Sequence, residues 1–306
     1  MSNRIVVVGS SNTDMIVQAA RIPRPGETIL GGAFTMAAGG KGANQAVGAA
    51  RAGGQVTFVA RVGDDLFGRQ AIEGFCKDNI DVTHVTRDTG APSGVALICV
   101  AADGENSIVV ASGANGRLSP ADVQVARGAI ASAAVLLCQL ETPIETVKAA
   151  VEMAAGAGVR VILNPAPARP LDDDLLRHVS VLTPNETEAE LLTGVKVDDD
   201  RAAAKAAGVL RKRGVKTVLI TLGARGTFAC ADGIEQLVPA FKVEPVDTTA
   251  AGDVFNGALA VALAEGRPLP EAVRFANAAG AISVTRLGAQ PSAPKRAEIE
   301  SLLRGS

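Results

Sequence analysis

The 306-residue chain contains no tryptophan, no tyrosine, only two histidines, and four cysteines with no C-x-x-C pair among them. Each shortage removes a class of function. Aromatic residues make up 3% of the chain, which leaves too few rings for the stacking platforms that carry single-stranded nucleic acid. His84 and His178 alone do not supply a histidine-rich transition-metal centre. Cys76, Cys99, Cys138 and Cys230 are far apart, each in or beside an apolar run, and read as buried free thiols in a reducing compartment. A net charge of −2 gives no basic footprint for nucleic acid or anionic lipid. The first apolar run, "RIVVV", is too short for a signal peptide, and no stretch approaches the roughly 18 apolar residues of a spanning helix. The expectation is a cytoplasmic protein that binds neither nucleic acid nor membrane.

What the chain does have is alternation. Short continuous apolar runs at 4–10, 56–63, 134–140, 159–165, 179–185 and 216–223 read as strands buried on both faces. Helical patterns fall between them, at about 38–53, 66–79, 120–132, 143–157, 186–193 and 200–213. Such alternation gives right-handed βαβ units and therefore an α/β fold, a doubly wound, mainly parallel sheet flanked by helices. Ligands in such sheets lie beyond the carboxyl ends of the strands. Residues 14–36 and 94–112 break the pattern and read as strand pairs around "PRPGE" and "ADGEN". Their strands are apolar on both faces. One face is expected to cover the site and the other to pack on a partner chain, giving a small β-sheet lid in a single 1–306 domain and a homodimer made through it. The other reading is that these strands extend the main sheet.

Five polar or glycine-rich stretches follow strand ends. In "DTTAAGDVFNGA" (247–258) a helix starting near Gly252 leaves the amides of Ala250, Ala251 and Gly252 without helical partners, a ready anion site with Asp253 beside it as a base. Alternatively Asp253 is a helix cap. "AAGGKGANQAVGAARAGG" (37–54) offers Lys41, backbone amides and Asn44, or is a plain helix start; it is not a Walker A loop, since Gly42 follows the lysine. "GSSNTD" (9–14) supplies Asn12 and Asp14 for sugar hydroxyls, or for Asx turns. "TPNETEAELLTG" (183–194) places Asn185 and Glu188 toward a phosphate and a water-bound Mg²⁺, or in a capped helix start. "TLGARGTF" (221–228) brings backbone close to a nucleotide, or is an ordinary hairpin. "LDDD" and "VDDD" (171–174, 197–200) read as acidic helix starts.

Taken together, "GGKGANQA" and "DTTAAGDVFNGAL" resemble the two signatures of the PfkB (ribokinase-like) carbohydrate kinases, and the likeness runs nearly end to end through "RIPRPGET", "LNPAPAR", "VLITLGARG" and "RFANAAGAISVTRLGAQPS". The resemblance implies ATP-dependent phosphorylation of D-ribose at the 5-hydroxyl. It assigns sugar contacts to Asn12, Thr13, Asp14, Gly40, Lys41, Gly42, Ala43, Asn44 and Glu141, the base to Asp253, and the anion hole to Ala250, Ala251 and Gly252. It assigns the nucleotide to Asn185, Thr221, Leu222, Gly223, Ala224, Arg225, Gly226, Gly252 and Asn277, the last standing where close relatives are expected to carry His. It implies two cations: Mg²⁺ organised by Glu188, and an activating K⁺ at Asp247, Thr249, Ser283, Arg286, Gly288 and Ser292. A sibling kinase acting on deoxyribose, fructose or a nucleoside, and a non-catalytic sugar sensor, remain the alternatives.

Overall fold

Ile5 and Val7 pack into one hydrophobic cluster and Val6 and Val8 into another, on opposite faces of one strand. That is why "RIVVV" is apolar throughout: helices cover both faces of the sheet. The computed structural model describes residues 3–305. Met1, Ser2 and Ser306, which belong to the expected 1–306 domain, lie outside the described residues.

The chain runs through β1 (Arg4–Val8), β2 (Asn12–Gln18), β3 (Phe34–Gly39), α1 (Lys41–Arg51), β4 (Gln55–Gly63), α2 (Leu66–Lys77) and β5 (Asp81–Asp88). It continues through β6 (Gly94–Val100), β7 (Asn106–Ala111), α3 (Pro120–Val125), α4 (Arg127–Ala131), β8 (Val135–Cys138), α5 (Ile144–Gly156) and β9 (Arg160–Leu163). The remaining elements are α6 (Asp173–Leu176), β10 (Val181–Leu182), α7 (Glu186–Thr193), α8 (Asp200–Lys212), β11 (Thr217–Thr221), β12 (Gly226–Ala231), β13 (Ile234–Pro239), α9 (Ala251–Ala264), α10 (Leu269–Ser283) and α11 (Arg296–Arg304).

Nine strands form the main sheet in the order β13-β12-β11-β10-β9-β8-β1-β4-β5. Every pairing from β11 to β5 is parallel, and β12 alone runs the opposite way, pairing antiparallel with β11 and with the edge strand β13. The strand order reverses between β8 and β1, and the crevice beyond their carboxyl ends is where an open sheet of this kind holds its ligand. One core lies under α1, α9 and α10, the other under α5 and α8. Asp172 and Asp199 cap α6 and α8, so the two acidic runs are helix starts. Among the described residues no helix is long and apolar enough to cross a membrane.

The two inserts do not extend the main sheet. They form a second sheet of order β3-β2-β6-β7. Two expectations are corrected. The helix expected at 120–132 is broken at Ala126 into α3 and α4. Of the four free cysteines only Cys138 and Cys230 are buried. Cys76 is exposed because it follows buried Phe75 onto the solvent side of α2.

Helices α1 and α9 cross at very close range. A Cβ on Gly257 would lie 2.6 Å from both the Ala49 nitrogen and the Gln45 carbonyl oxygen. Glycine at 257 therefore sets the spacing. It brings the "ANQA" turn of α1 against the first turn of α9, joining residues some 200 positions apart in sequence.

Candidate active site

Asp253 does not cap α9. The N-cap is Ala250, at φ 58, with no side-chain capping bond. A non-glycine residue in this left-handed region costs about 1–2 kcal/mol, held here by the packed turn around it. Ala251 donates its N–H to the Thr248 carbonyl over 3.3 Å. Gly252 is exposed, with nothing within 4 Å of the place a Cβ would take. Of the three amides expected to bind an anion, that of Ala251 is thus already spent, while a helix start leaves the amide of the exposed Gly252 without a partner within the helix. Asp253, almost wholly buried, turns the other way: Oδ2 accepts from Asn44 Nδ2 at 3.0 Å and Oδ1 from Gln45 Nε2 at 2.9 Å. Burial pushes its carboxyl up from the usual carboxylate range, against the charge of Lys41 and the Asn44 and Gln45 hydrogen bonds, which favour the ionised form.

A cavity of about 190 Å³ opens beside this carboxylate. Its lining brings together Lys41, Asn185, Glu188, Thr221 and the 250–253 turn, all singled out in the sequence, with Asn164, Thr183 and Asn256, which were not. The Asn44 Oδ1 atom is buried without a partner, an acceptor waiting for a donor.

The glycine-rich turn before α1 differs from expectation. Its amides are already spent: Lys41 N–H donates to Glu141 at 2.9 Å, Gly42 N–H to the Ser10 hydroxyl at 3.3 Å, and Ala43 N–H to the Ser10 carbonyl at 2.8 Å. Backbone groups of Lys41, Gly42 and Ala43 therefore build the turn, and what the stretch offers a ligand is the side chains of Lys41 and Asn44. Gly40, at φ 88, admits the close approach, since a Cβ there would sit 2.7 Å from the Asn12 nitrogen.

From the lid, Asn12 and Asp14 share one face of β2. Thr13 between them projects to the opposite face, so its side chain is not on the site side. Asn115 donates to Asn12 Oδ1 at 2.7 Å and fixes that side chain. The Asp14 carboxyl is raised to about 6 by burial and then by the neighbouring charges of Glu141 and Asp253. Glu141 follows β8 and accepts from Ser10 as well as Lys41.

On the far side of the cavity Asn185 and Glu188 form a reciprocal capping box at 2.7 and 2.9 Å. The capping reading is correct for the Asn185 side chain. Only one Glu188 oxygen is used in it, and burial raises this carboxyl despite the Asn185 N–H and Lys41. A desolvated carboxylate facing a cavity suits a hydrated divalent cation. After β11, Leu222 to Gly226 form the expected tight turn, closed by Leu222 N–H to the Gly226 carbonyl at 2.8 Å. Leu222 is buried, Gly223 and Ala224 belong to the turn, and Arg225 pairs outward with Glu186 and Asp200. The Asn277 side chain takes another part: it receives the Thr227 hydroxyl and donates to the carbonyls of Val238 and Pro239, stapling α10 to the sheet edge.

The expected monovalent-cation loop is held by Asp247, whose two oxygens accept from Thr249 N–H and Gly288 N–H, each at 2.8 Å. Burial opposes its charge, but these hydrogen bonds lower the carboxyl overall. The Ser283 and Ser292 hydroxyls are spent on the Gly280 and Ala289 carbonyls, and Arg286 on Glu298. The serine hydroxyl oxygens keep lone pairs when they donate, and Arg286 has only its backbone carbonyl to offer, so with the Asp247 carboxylate these residues can supply a cation with oxygen alone, the donor chemistry that suits K⁺.

Sequence reasoning missed a buried amide network. Gln45, Gln139 and Asn164 are joined to one another and to Asp253. Asn164 Nδ2 donates to the Thr183 carbonyl, the Thr183 hydroxyl to Asn256 Oδ1, and Asn256 Nδ2 to the Gly252 carbonyl. The signal was present: each is a polar residue inside an apolar or Ala/Gly run, and a buried amide needs partners.

The profile of the pfkB family of carbohydrate kinases matches residues 2–296. The chain is 47% identical to the ribokinase of Haemophilus influenzae, over 97% of both chains. It is 43% identical to the ribokinase of Bacillus subtilis, over 98% of this chain and 99% of that one. Its fold matches the structure of Arabidopsis thaliana ribokinase complexed with ribose and ATP at a TM-score of 0.91, with 36% identity and all of both chains covered.

Proposed function

The chain belongs to the pfkB family of carbohydrate kinases, and on that footing we infer that it is an ATP-dependent ribokinase, converting D-ribose and ATP to D-ribose 5-phosphate and ADP. The observation that carries this reading is Asp253: a buried carboxylate with no capping role, placed where a helix-start amide turn meets the sugar-side residues Asn44 and Lys41.

Asn12, Asp14, Asn44 and Glu141 hold the sugar, with Asp14 and Glu141 accepting from its hydroxyls. Asp253 orients the 5-hydroxyl and takes its proton as the oxygen attacks the γ-phosphorus in line. The bond from that phosphorus to the bridging oxygen breaks, and ADP leaves with the electron pair. Burial suits Asp253 to this role, because a desolvated carboxylate binds a proton more readily. The Gly252 turn and Lys41 face the charge that spreads over the transferred group. Mg²⁺, organised near Glu188, would neutralise phosphate charge; K⁺ beside Asp247 would fix the loop that leads into the anion turn. The lid sheet excludes water when sugar is bound.

A homodimer through the lid and a cytoplasmic location complete the reading. Cross-strand register puts Met15, Val17, Phe34, Met36, Leu97 and Val109 on the face away from Asp14. Phe34 and Val109 are 59% and 64% exposed, an apolar face that suits a second copy of the chain.

The test is ADP release from ATP and Mg²⁺ with ribose, 2-deoxyribose, fructose and adenosine, each in K⁺ and in Na⁺. Ribose-dependent, K⁺-stimulated release is expected. Faster turnover with another sugar moves the substrate within the family, and ribose binding without any turnover returns the sensor.

A further inference from the structure

The Gln45 amide is fully committed. Its two Nε2 protons go to Asp253 Oδ1 at 2.9 Å and Asn164 Oδ1 at 3.0 Å, and its Oε1 accepts from Gln139 Nε2 at 2.6 Å. Gln45 and Gln139 are buried to within 1% and Asn164 to within 7%. The orientation of every amide follows from one end: an ionised Asp253 only accepts, so Gln45 must donate to it, Asn164 must turn its oxygen to Gln45, and its nitrogen then meets the Thr183 carbonyl at 3.0 Å. From Thr183 the chain of bonds runs through Asn256 back to Gly252, the residue before Asp253. The carboxylate and the helix turn beside it are thus tied together by a ring of hydrogen bonds that passes through Thr183 and is closed by the backbone from Gly252 to Asp253.

We propose that Gln45 is a positioning residue for the transfer: anchored by Gln139 and Asn164, its amide fixes the Asp253 carboxylate in place relative to the α9 turn. This rests on the reading of Asp253 as the base. Three features support it. Gln45 is wholly buried, does not line the cavity, and meets the Asp253 oxygen that Asn44 leaves free. A directed chain of amides strengthens each of its bonds. And a donor to a buried carboxylate favours the ionised form, the form a base needs, against the desolvation that opposes it. The other charged groups facing Asp253 are Lys41 on α1, Asp14 on β2, Glu141 after β8 and Glu188 on α7. None of them contacts Gln45 by a hydrogen bond in the ring.

The experiment compares wild type, Gln45→Met, Gln45→Glu and Asp253→Asn by ADP release across pH, with ribose affinity measured by calorimetry and folding by circular dichroism. Gln45→Met keeps the volume and removes the donor. It should lower kcat about 10–100-fold, the effect of losing a charge-assisted hydrogen bond, with ribose affinity within about threefold. The acidic limb of kcat should move up by about one pH unit, because the ionised base has lost a donor. Gln45→Glu should move it in the same direction and further, by adding a carboxylate. A folded Gln45→Met enzyme whose limb does not move, whatever its rate, overturns the proposal. If neither position-45 variant folds, Gln139→Leu, which leaves the Gln45 contact but removes its anchor, must shift the limb the same way by a smaller amount; an unmoved limb there overturns it equally. Asp253→Asn separates the two readings. If it keeps turnover, the base assignment fails; if it is inactive while the Gln45 variants keep the wild-type limb, only the positioning role fails.

Discussion

Asn44 donates to Asp253 over 3.0 Å while its own side-chain oxygen is buried without a partner. Leaving a buried acceptor unmet costs about 1–3 kcal/mol. A sugar hydroxyl that donates to it recovers this on binding. Replacing Asn44 by Leu should therefore weaken ribose binding about 10–100-fold and lower kcat as well, since Asp253 loses a donor. Calorimetric titration of ribose into the nucleotide-free protein checks the first effect. Unchanged affinity would assign that oxygen to bound water instead.

Asp14 ties substrate binding to stability. Its folded carboxyl sits at about 6, above the ordinary value of 3.8. Between those values the native protein holds a proton that the unfolded chain has released, so this group's contribution to stability is present at low pH and is lost as pH rises through about 6. Asp14→Asn should accordingly raise the melting temperature of the sugar-free protein more at pH 8 than at pH 5. The same ionised carboxylate accepts from ribose, so wild-type affinity should climb from pH 5 to pH 7 and the variant's should stay flat. Melts and ribose titrations at these pH values test both halves. Equal melting gains at both pH values would remove the strain assigned to Asp14.

These relationships were legible in the sequence to different depths. The central strands were plain because burial on both faces makes them continuously apolar. β5, "DVTHVTRD", and β13, "IEQLVP", escaped because edge strands keep one side polar. Asp253, Lys41, Asn44 and Glu188 could be picked out because each stands at a strand exit or helix start. Gln45, Gln139 and Asn164 could not be joined to them, since their partners are fixed only by the crossing of α1 over α9 and by strand order. The side chain of Thr13 and the α1 amides were out of reach for the same reason: sequence places a residue near a site, but the pleat of β2 and the acceptors on Ser10 and Glu141 decide which of its atoms are left to point there.

Asp247 holds two chain segments with one carboxylate, the Thr249 amide on one oxygen and the Gly288 amide on the other. The first segment runs directly into the left-handed Ala250. Loosening it should disturb the anion turn rather than the sugar site. Asp247→Ala should lower kcat about 100–1,000-fold where the donor turn is lost altogether, the roughly 2.7–4 kcal/mol that a preorganised donor contributes. It should also blunt the response to K⁺ and leave ribose affinity close to wild type. A K⁺ titration of ADP release with Na⁺ held as counter-ion measures this. A wild-type K⁺ curve in the variant would place the cation's action elsewhere.

The outer lid face carries the last prediction. Phe34 pairs across β3 and β2 with Val17, and Leu97 across β6 and β7 with Val109, so four apolar side chains of one pleat face lie together and exposed. Leaving them in water forgoes about 25 cal/mol for each Å² that a second lid could cover. Phe34→Glu with Leu97→Glu places two like charges on that face, one on the edge strand β3 and one on the inner strand β6, which a symmetric contact meets twice. The pair should convert a dimer to a monomer in sedimentation velocity, with the main-sheet fold unchanged by circular dichroism. The opposite lid face carries Asn12 and Asp14, so a lid released from its partner should also hold sugar less firmly, and the ribose KM should rise more than kcat falls. A wild-type protein already monomeric at tens of micromolar would refute the dimer. A dimer that survives both charges would move the contact off the lid.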